Sequence, residues 1–294
     1  MNKTERDFLK NKKVLIVGAA GSIGGALSRR VAEFKPKSLT ILDQNESELF
    51  WIWEETKETC KTNMVIADIR NRERIEEIFL NYRPDIVYHC AAYKHVILME
   101  MWPQEAHRTN VHGTQVIVDA ALKSGVDKVV FISTDKAVNP TSVMGMTKKE
   151  GEKICLNANK LKKTKFIVVR FGNVMASRGS VIPIFQKQIN EGKHLTVTDQ
   201  RMERYFMGIY EAVDLVLEAS MIGKAGDIMV LDMGNPMPIY ELANLMVKLS
   251  GKNLRVNFTK AGKGEKFFEE LMTPAERKRA IKRNGIYIIR SKSR

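Results

Sequence analysis

A chain of 294 residues, 44% of them hydrophobic, can bury a substantial core as one large domain or as a domain with a smaller lobe. No apolar run reaches the ~18–20 residues that span a bilayer, and the charged opening MNKTERDFLKNKK has no leader-like apolar segment, so a soluble, cytoplasmic protein is expected. The net charge is +14, but eight basic residues and no acidic ones fall between Arg277 and Arg294, which reads as a solvated tail more than a nucleic-acid contact, and the remaining +6 suits a small polyanionic substrate.

The elements then alternate along the chain. A strand is predicted over 13–17 (KVLIV) and a helix over 23–34. Strands at 38–42 (SLTIL), 64–67 (MVIA) and 85–90 (DIVYHC) follow, separated by helices over 46–59 and 72–80. A helix over 111–124 leads to KVVFIS (128–133), and a helix over 144–161 to KFIVVR (165–170). Near-continuous apolar strands alternating with helices imply a parallel sheet covered on both faces. After Arg170 the rhythm breaks into turn-rich sequence with a short helix over 182–191. A helix over 209–221 and the strand DIMVL (227–231) restore it, and a helix over 238–250 lies within the last stretch. The expectation is an α/β fold with a doubly wound, parallel Rossmann sheet of about seven strands and a smaller C-terminal substrate lobe. The Rossmann domain takes residues 1–172 with a return segment at 206–233, and the lobe takes 173–205 and 234–294.

Gly18-Ala-Ala-Gly21-Ser-Ile-Gly24 follows the first strand and opens a helix. Glycines there permit a tight turn and a close approach to a pyrophosphate, which the helix N-terminus attracts. Ala20, Ser22 and Ile23 belong to the same turn. Asp43, at the end of the second strand beside Gln44, is placed to bind the ribose hydroxyls of NAD and to repel the extra phosphate of NADP. An N-capping role is the plainer alternative for Asp43. Asp68 and Ile69 are expected to flank the adenine, and Ala91 and Ala92 to let the cofactor pass closely. Lys94, Asn110 and Phe171 are placed on the same side. Cys60, Cys90 and Cys155 are odd in number and far apart, which fits reduced thiols, and no metal site is expected.

Ser133-Thr134-Asp135-Lys136 ends the fifth strand with two hydroxyls, an acid and an amine. Such a cluster can donate, accept and relay protons. It can equally be a capped surface turn with a local ion pair. Here the chain resembles a known family. STDKA…NPT..MG.TK, with AAYKHV.LME (91–100), RFGNV..SRGSVIP (170–183), VTD…RYFM (197–207) and VLDMG.P..I.ELA (230–243), is similar to the polysaccharide-biosynthesis branch of the extended short-chain dehydrogenase/reductases, the nucleotide-sugar 4,6-dehydratases.

The resemblance implies a tightly held NAD, with NADP possible, and UDP-N-acetylglucosamine or a close UDP-N-acetylhexosamine as substrate. Carbon 4 would be oxidised, the carbon-6 hydroxyl eliminated and the hydride returned. Thr134 would hold the carbon-4 oxygen, Lys136 would remove the carbon-5 proton and Asp135 would protonate the departing hydroxyl. A base role for Lys136 requires a lowered pKa. Lys148 is the family's lysine, but the position four residues before it is Met144 where a tyrosine is usual. Lys94, His95, Asn173, Arg178, Ser180, Val181 and Arg204 would face the substrate. In TKAGKGEKFFEEL, Lys263 and Glu265 stand at the family's closing motif, with Gly262 where that motif has arginine. The helices over 111–124 and 144–161 are the expected seam of a homo-oligomer. Two alternatives stay open. One is a companion enzyme that isomerises or epimerises a 5,6-unsaturated UDP-sugar to a 4-keto-6-deoxy product. The other is a non-catalytic dinucleotide-sensing or nucleic-acid-binding protein.

Overall fold

The computed structural model describes residues 7–291, so the first residues of the N-terminal stretch and the last three of the basic tail lie outside it. Seven parallel strands form the body of one sheet: β1 (Lys13–Val17), β2 (Ser38–Asp43), β3 (Thr62–Ile66), β4 (Ile86–His89), β5 (Lys128–Ile132), β6 (Lys165–Arg170) and β7 (Ile228–Leu231). A hairpin of β8 (Ile281–Arg283) and β9 (Ile286–Ile289) extends it antiparallel, giving nine strands in the order β8-β9-β7-β6-β5-β4-β1-β2-β3.

Both faces are covered, which explains the apolar runs: every residue of β4 and β5 is buried. One face packs against α1 (Ser22–Glu33), α2 (Glu46–Thr56) and, later in the chain, α8 (Ile209–Ile222) through Leu27, Ile52 and Val213. The other packs against α3 (Arg72–Tyr82), α5 (Thr114–Ser124) and α6 (Val143–Ala158) through Ile75, Ile117 and Cys155. Side-chain caps set where several helices begin. Asn45 accepts from the Glu48 amide, Asn71 from Arg74 and Ser142 from Gly145. A short α4 (Val96–Met101), unassigned in the sequence, follows the β4 loop, and α5 is preceded by a π-helical turn over His107–Gly113.

The lobe has its own small core. Phe185 and Ile189 of α7 (Val181–Asn190) meet Leu242 and Ala243 of α9 (Ile239–Ser250), with Leu195 and Val197 from a short strand pair. The sequence assignment of 234–294 to this lobe needs correction at its end. Residues 281–289 join the main sheet because Ile286, Ile288 and Ile289 bury against it. Asn284 and Gly285, both at positive φ, make the two-residue hairpin turn. The basic tail is therefore ordered through the hairpin, with Lys282 paired to Asp232 and Arg290 to Asp227. Among the described residues no helix is long and apolar enough to cross a membrane.

Candidate active site

The strand order reverses between β1 and β4, and a groove of about 780 Å³ opens at the carboxyl ends of β1, β4, β5 and β6. It continues into a smaller pocket of about 140 Å³ lined by Ala67, Asp68, Ile69 and Ala91; Gly18, Gly21, Asp43 and Ala92 line both.

The floor is built by glycine geometry. Gly18 sits at φ +84°, and a Cβ on it would lie 2.4 Å from the Ala91 amide nitrogen. A Cβ on Gly24 would lie 2.1 Å from the Gly18 carbonyl. The turn and the start of α1 therefore close on each other as tightly as backbone allows. Ala20, Gly21, Ser22 and Ile23 line the groove there. The shape and the free N-terminus of α1 fit a dinucleotide pyrophosphate. Asp43 braces the turn, accepting from the amides of Ala20 and Asn45, both at 3.0 Å. Asn45, not Asp43, caps α2. Gln44 lines the groove beside it. Asp68 is held by a bidentate contact to Arg70, whose hydrogen bonds push its carboxyl below the ordinary carboxylate range.

Ser133, Thr134, Lys136, Met144, Lys148 and Phe171 line the far side of the same groove. Asp135 does not; it is fully buried beneath them. Its Oδ1 accepts from the Thr134 hydroxyl at 2.8 Å and from Lys136 Nζ at 3.0 Å, and its Oδ2 has no hydrogen-bond partner among the described residues. Lys136 Nζ also donates to Asn173 Oδ1 at 3.2 Å. Burial pushes the Lys136 amine down, but Asp135 and Glu269 outweigh it and the net direction is up. The lowered pKa expected for a Lys136 base is thus absent. Lys148 shows the depressed amine instead: burial pushes it down to about 8. Its Nζ donates to the Ile132 carbonyl at 2.6 Å and lies 4.0 Å from the centre of the Phe131 ring. Met144 is buried against Met99, Ala106 and Tyr93.

Several expected residues stand elsewhere. Asn110 is buried in the π-helical turn, where its amide holds both backbone groups of Tyr93 and the Thr147 hydroxyl, so it braces the wall without lining the groove. Arg178 does line the groove, on its glycine-turn side, donating to the Ala20 carbonyl and pairing with Glu48 at 3.0 Å. Its amide also donates to Ser22 Oγ at 3.0 Å. Arg204 is buried outside the groove, with its guanidinium donating to the carbonyls of Glu203 and Phe267. Lys263 is exposed and pairs with Glu100 at 3.7 Å, and Glu265 accepts from the Gly262 amide; neither lines the groove. Lys94, His95, Asn173, Arg178, Ser180 and Val181 do line it. Burial first, then Arg178 and Lys136, pushes the Lys94 amine down; burial and then Lys94 pushes His95 down.

Sequence reasoning missed the supports behind this wall. Ser133 Oγ donates to Glu152 at 2.7 Å, and Glu152 takes a two-point contact from Arg170, which reaches on to Glu276 at 3.0 Å. The available signal was an arginine closing the apolar strand KFIVVR and a glutamate on the α6 face toward it. Among the described residues no cluster of potential metal ligands occurs.

The polysaccharide biosynthesis protein family matches residues 14–291. The probable polysaccharide biosynthesis protein EpsC of Bacillus subtilis is 45% identical over 275 residues, covering 91% of this chain and 46% of its own length. The capsular polysaccharide biosynthesis protein CapD of Staphylococcus aureus is 45% identical over 276 residues, with the same two coverages. The chain thus spans about half the length of these two relatives. Among solved structures, Pen from Bacillus thuringiensis superposes with a TM-score of 0.91 at 39% identity, covering 97% of this chain and 90% of that one.

Proposed function

The chain belongs to the polysaccharide biosynthesis protein family, and from that premise we propose that it removes water from a UDP-N-acetylhexosamine such as UDP-N-acetylglucosamine, using a nicotinamide dinucleotide. One observation carries the reading: Thr134, Lys136 and Lys148 face the same groove as the Gly18 turn. A nicotinamide dinucleotide, when bound, supplies a hydride acceptor that later gives the hydride back. Gly18, Gly21 and the α1 N-terminus would hold its pyrophosphate, and Asp43 its ribose. The carboxylate of Asp43 favours NAD over NADP.

The remaining work is proton traffic. Once carbon 4 of the sugar is a ketone, the carbon-5 hydrogen is acidic and the carbon-6 hydroxyl can leave. The protein must take one proton and give one. Asp135 Oδ1 accepts from both Thr134 and Lys136, and Asp135 and Glu269 push the Lys136 amine up against its burial, so Lys136 holds the proton. We therefore assign the accepting relay to Thr134 and Asp135 and the donor to Lys136, the reverse of the roles that the resemblance implies. Lys148, pushed down to about 8, takes the carbon-4 hydroxyl proton where Met144 leaves no tyrosinate to do so.

A second reading is favoured by Met144 itself. Without a tyrosine the first oxidation is slow, which suits an enzyme that accepts an already 5,6-unsaturated UDP-sugar and isomerises or epimerises it.

Incubation with UDP-N-acetylglucosamine, and separately with its 5,6-unsaturated derivative, in heavy water distinguishes these. Loss of one water from the saturated sugar, seen by mass, supports the dehydratase; turnover of the unsaturated sugar alone selects the second reading, and turnover of neither removes both. Lys136→Met should keep carbon-5 exchange while water loss falls by about 10²–10⁴-fold, and Asp135→Asn should stop the exchange. The opposite pattern would restore Lys136 as the base.

A further inference from the structure

Lys136 is bracketed from two sides. Asp135 comes from its own turn, and Glu269 from the closing segment. The Glu269 side chain is 2% exposed, and its Oε1 lies 3.5 Å from Lys136 Nζ and 4.0 Å from Arg204 Nε. Its Oε2 has no hydrogen-bond partner among the described residues. A carboxylate buried this deeply is costly unless cations hold it charged. Arg204 is fixed to the same segment through the Phe267 carbonyl. The segment is fixed in turn by Glu276, whose carboxylate pairs with Arg170 and closes a capping box with Thr273.

We propose that Glu269 is a positioning residue for Lys136, holding its ammonium between two buried carboxylates and against Asn173 at the groove wall. The inference rests on the donor role given above to Lys136. It adds that the closing segment completes the donor, so the turn at 134–136 is insufficient alone. The charged groups facing Lys136 are Asp135 beneath it, Glu269 and Arg204 from the segment side, and Lys94 from the loop after β4. Arg204 and Lys94 oppose the ammonium, so the two acids must outweigh them. Removing one acid tips the balance.

The test follows the Lys136 side chain by NMR in protein carrying isotope-labelled lysine, its signal assigned through Lys136→Arg, and follows the pH profile of kcat. A donor is active while protonated, so activity falls as pH rises through its pKa. In Glu269→Gln, Lys136 should titrate lower by on the order of one pH unit or more, and the alkaline limb of kcat should move down equally, with activity at the old midpoint roughly five-fold less or lower. KM should change less than kcat. Glu269→Asp keeps the charge with a shorter reach and should show a smaller shift in the same direction; it carries the test if Glu269→Gln does not fold. An unmoved Lys136 titration in a folded variant overturns the inference. The titration needs no turnover, so it stays decisive even if neither sugar reacts and the catalytic reading falls.

Discussion

On the proposed reading, Lys148 trades stability for chemistry in a single side chain. Burial pushes its amine from 10.5 down to about 8. A folded-state value below the unfolded one means that the unfolded chain holds the extra proton between those limits. The penalty is full below pH 8 and is relieved as pH rises toward 10.5. Its upper bound is roughly 3 kcal/mol, offset in part by the Ile132 carbonyl and the Phe131 ring. Lys148→Met should therefore gain about 1–3 kcal/mol in urea denaturation at pH 7, with the gain shrinking toward pH 10, while turnover falls by about 10²-fold or more. A variant that loses stability at pH 7 would show that those two contacts hold the amine more strongly than burial disfavours it. A depressed amine alone does not mark a site. Lys128 is also pushed down to about 8, by burial first, yet its Nζ donates to the carbonyls of Ser220 and Gly223, away from the groove.

At the level of elements, β6 and α6 are joined by a buried ion pair that also holds the groove wall at Ser133. Arg170 and Glu152 are both 0% exposed, and Ser133 hangs from the same carboxylate. Arg170→Met leaves Glu152 buried without its guanidinium and should cost about 3–5 kcal/mol by denaturant titration. Arg170→Met combined with Glu152→Leu should recover part of that loss, because no fully buried charge is then left unpaired, while the partly exposed Glu276 and Lys149 lose their partners. A single variant within 1 kcal/mol of the parent, on the order of a surface change, would show that the pair is unimportant to stability. This network also explains what the sequence concealed. The central parallel strands were legible because each is buried on both faces and reads as an unbroken apolar run, whereas the edge strand β3 buries only Val65 fully. The β8–β9 hairpin was not, since β8 is wholly exposed and its residues merge with a basic run. Its one signal, Asn284-Gly285, was overlooked. In the site, contacts local to one turn were readable: Gly18 to Gly24, and Ser133 to Lys136. Glu152 and Glu269 meet those turns only through the fold, and nothing beside either one in the sequence says which turn it supports. Arg204 misled because an arginine near an expected diphosphate site looks the same whether it faces the ligand or, as here, Glu269.

For the whole molecule, the question is which part of the +14 charge a substrate feels. Part of the tail's charge is neutralised in place, through Lys282 to Asp232 and Arg290 to Asp227. At the groove, Lys94, Lys136 and Arg178 converge closely enough that Arg178 and Lys136 add to burial in pushing the Lys94 amine down. Like charges gathered in a concave site focus their field outward, and a nucleotide diphosphate would relieve their repulsion. Salt should therefore weaken capture more than chemistry. Raising ionic strength from about 0.05 to 0.5 M, which shortens the Debye length from roughly 14 to 4 Å, should raise KM by about 3–10-fold and leave kcat within about two-fold. Lys94→Gln should flatten that dependence, since it removes a cation from the rim without touching the Thr134–Asp135–Lys136 hydrogen bonds. Steady-state kinetics across a salt series checks both. A KM that ignores salt while kcat falls would place the salt-sensitive interaction inside the buried Lys136 cluster, and the groove's positive rim would then have no part in recognising the substrate.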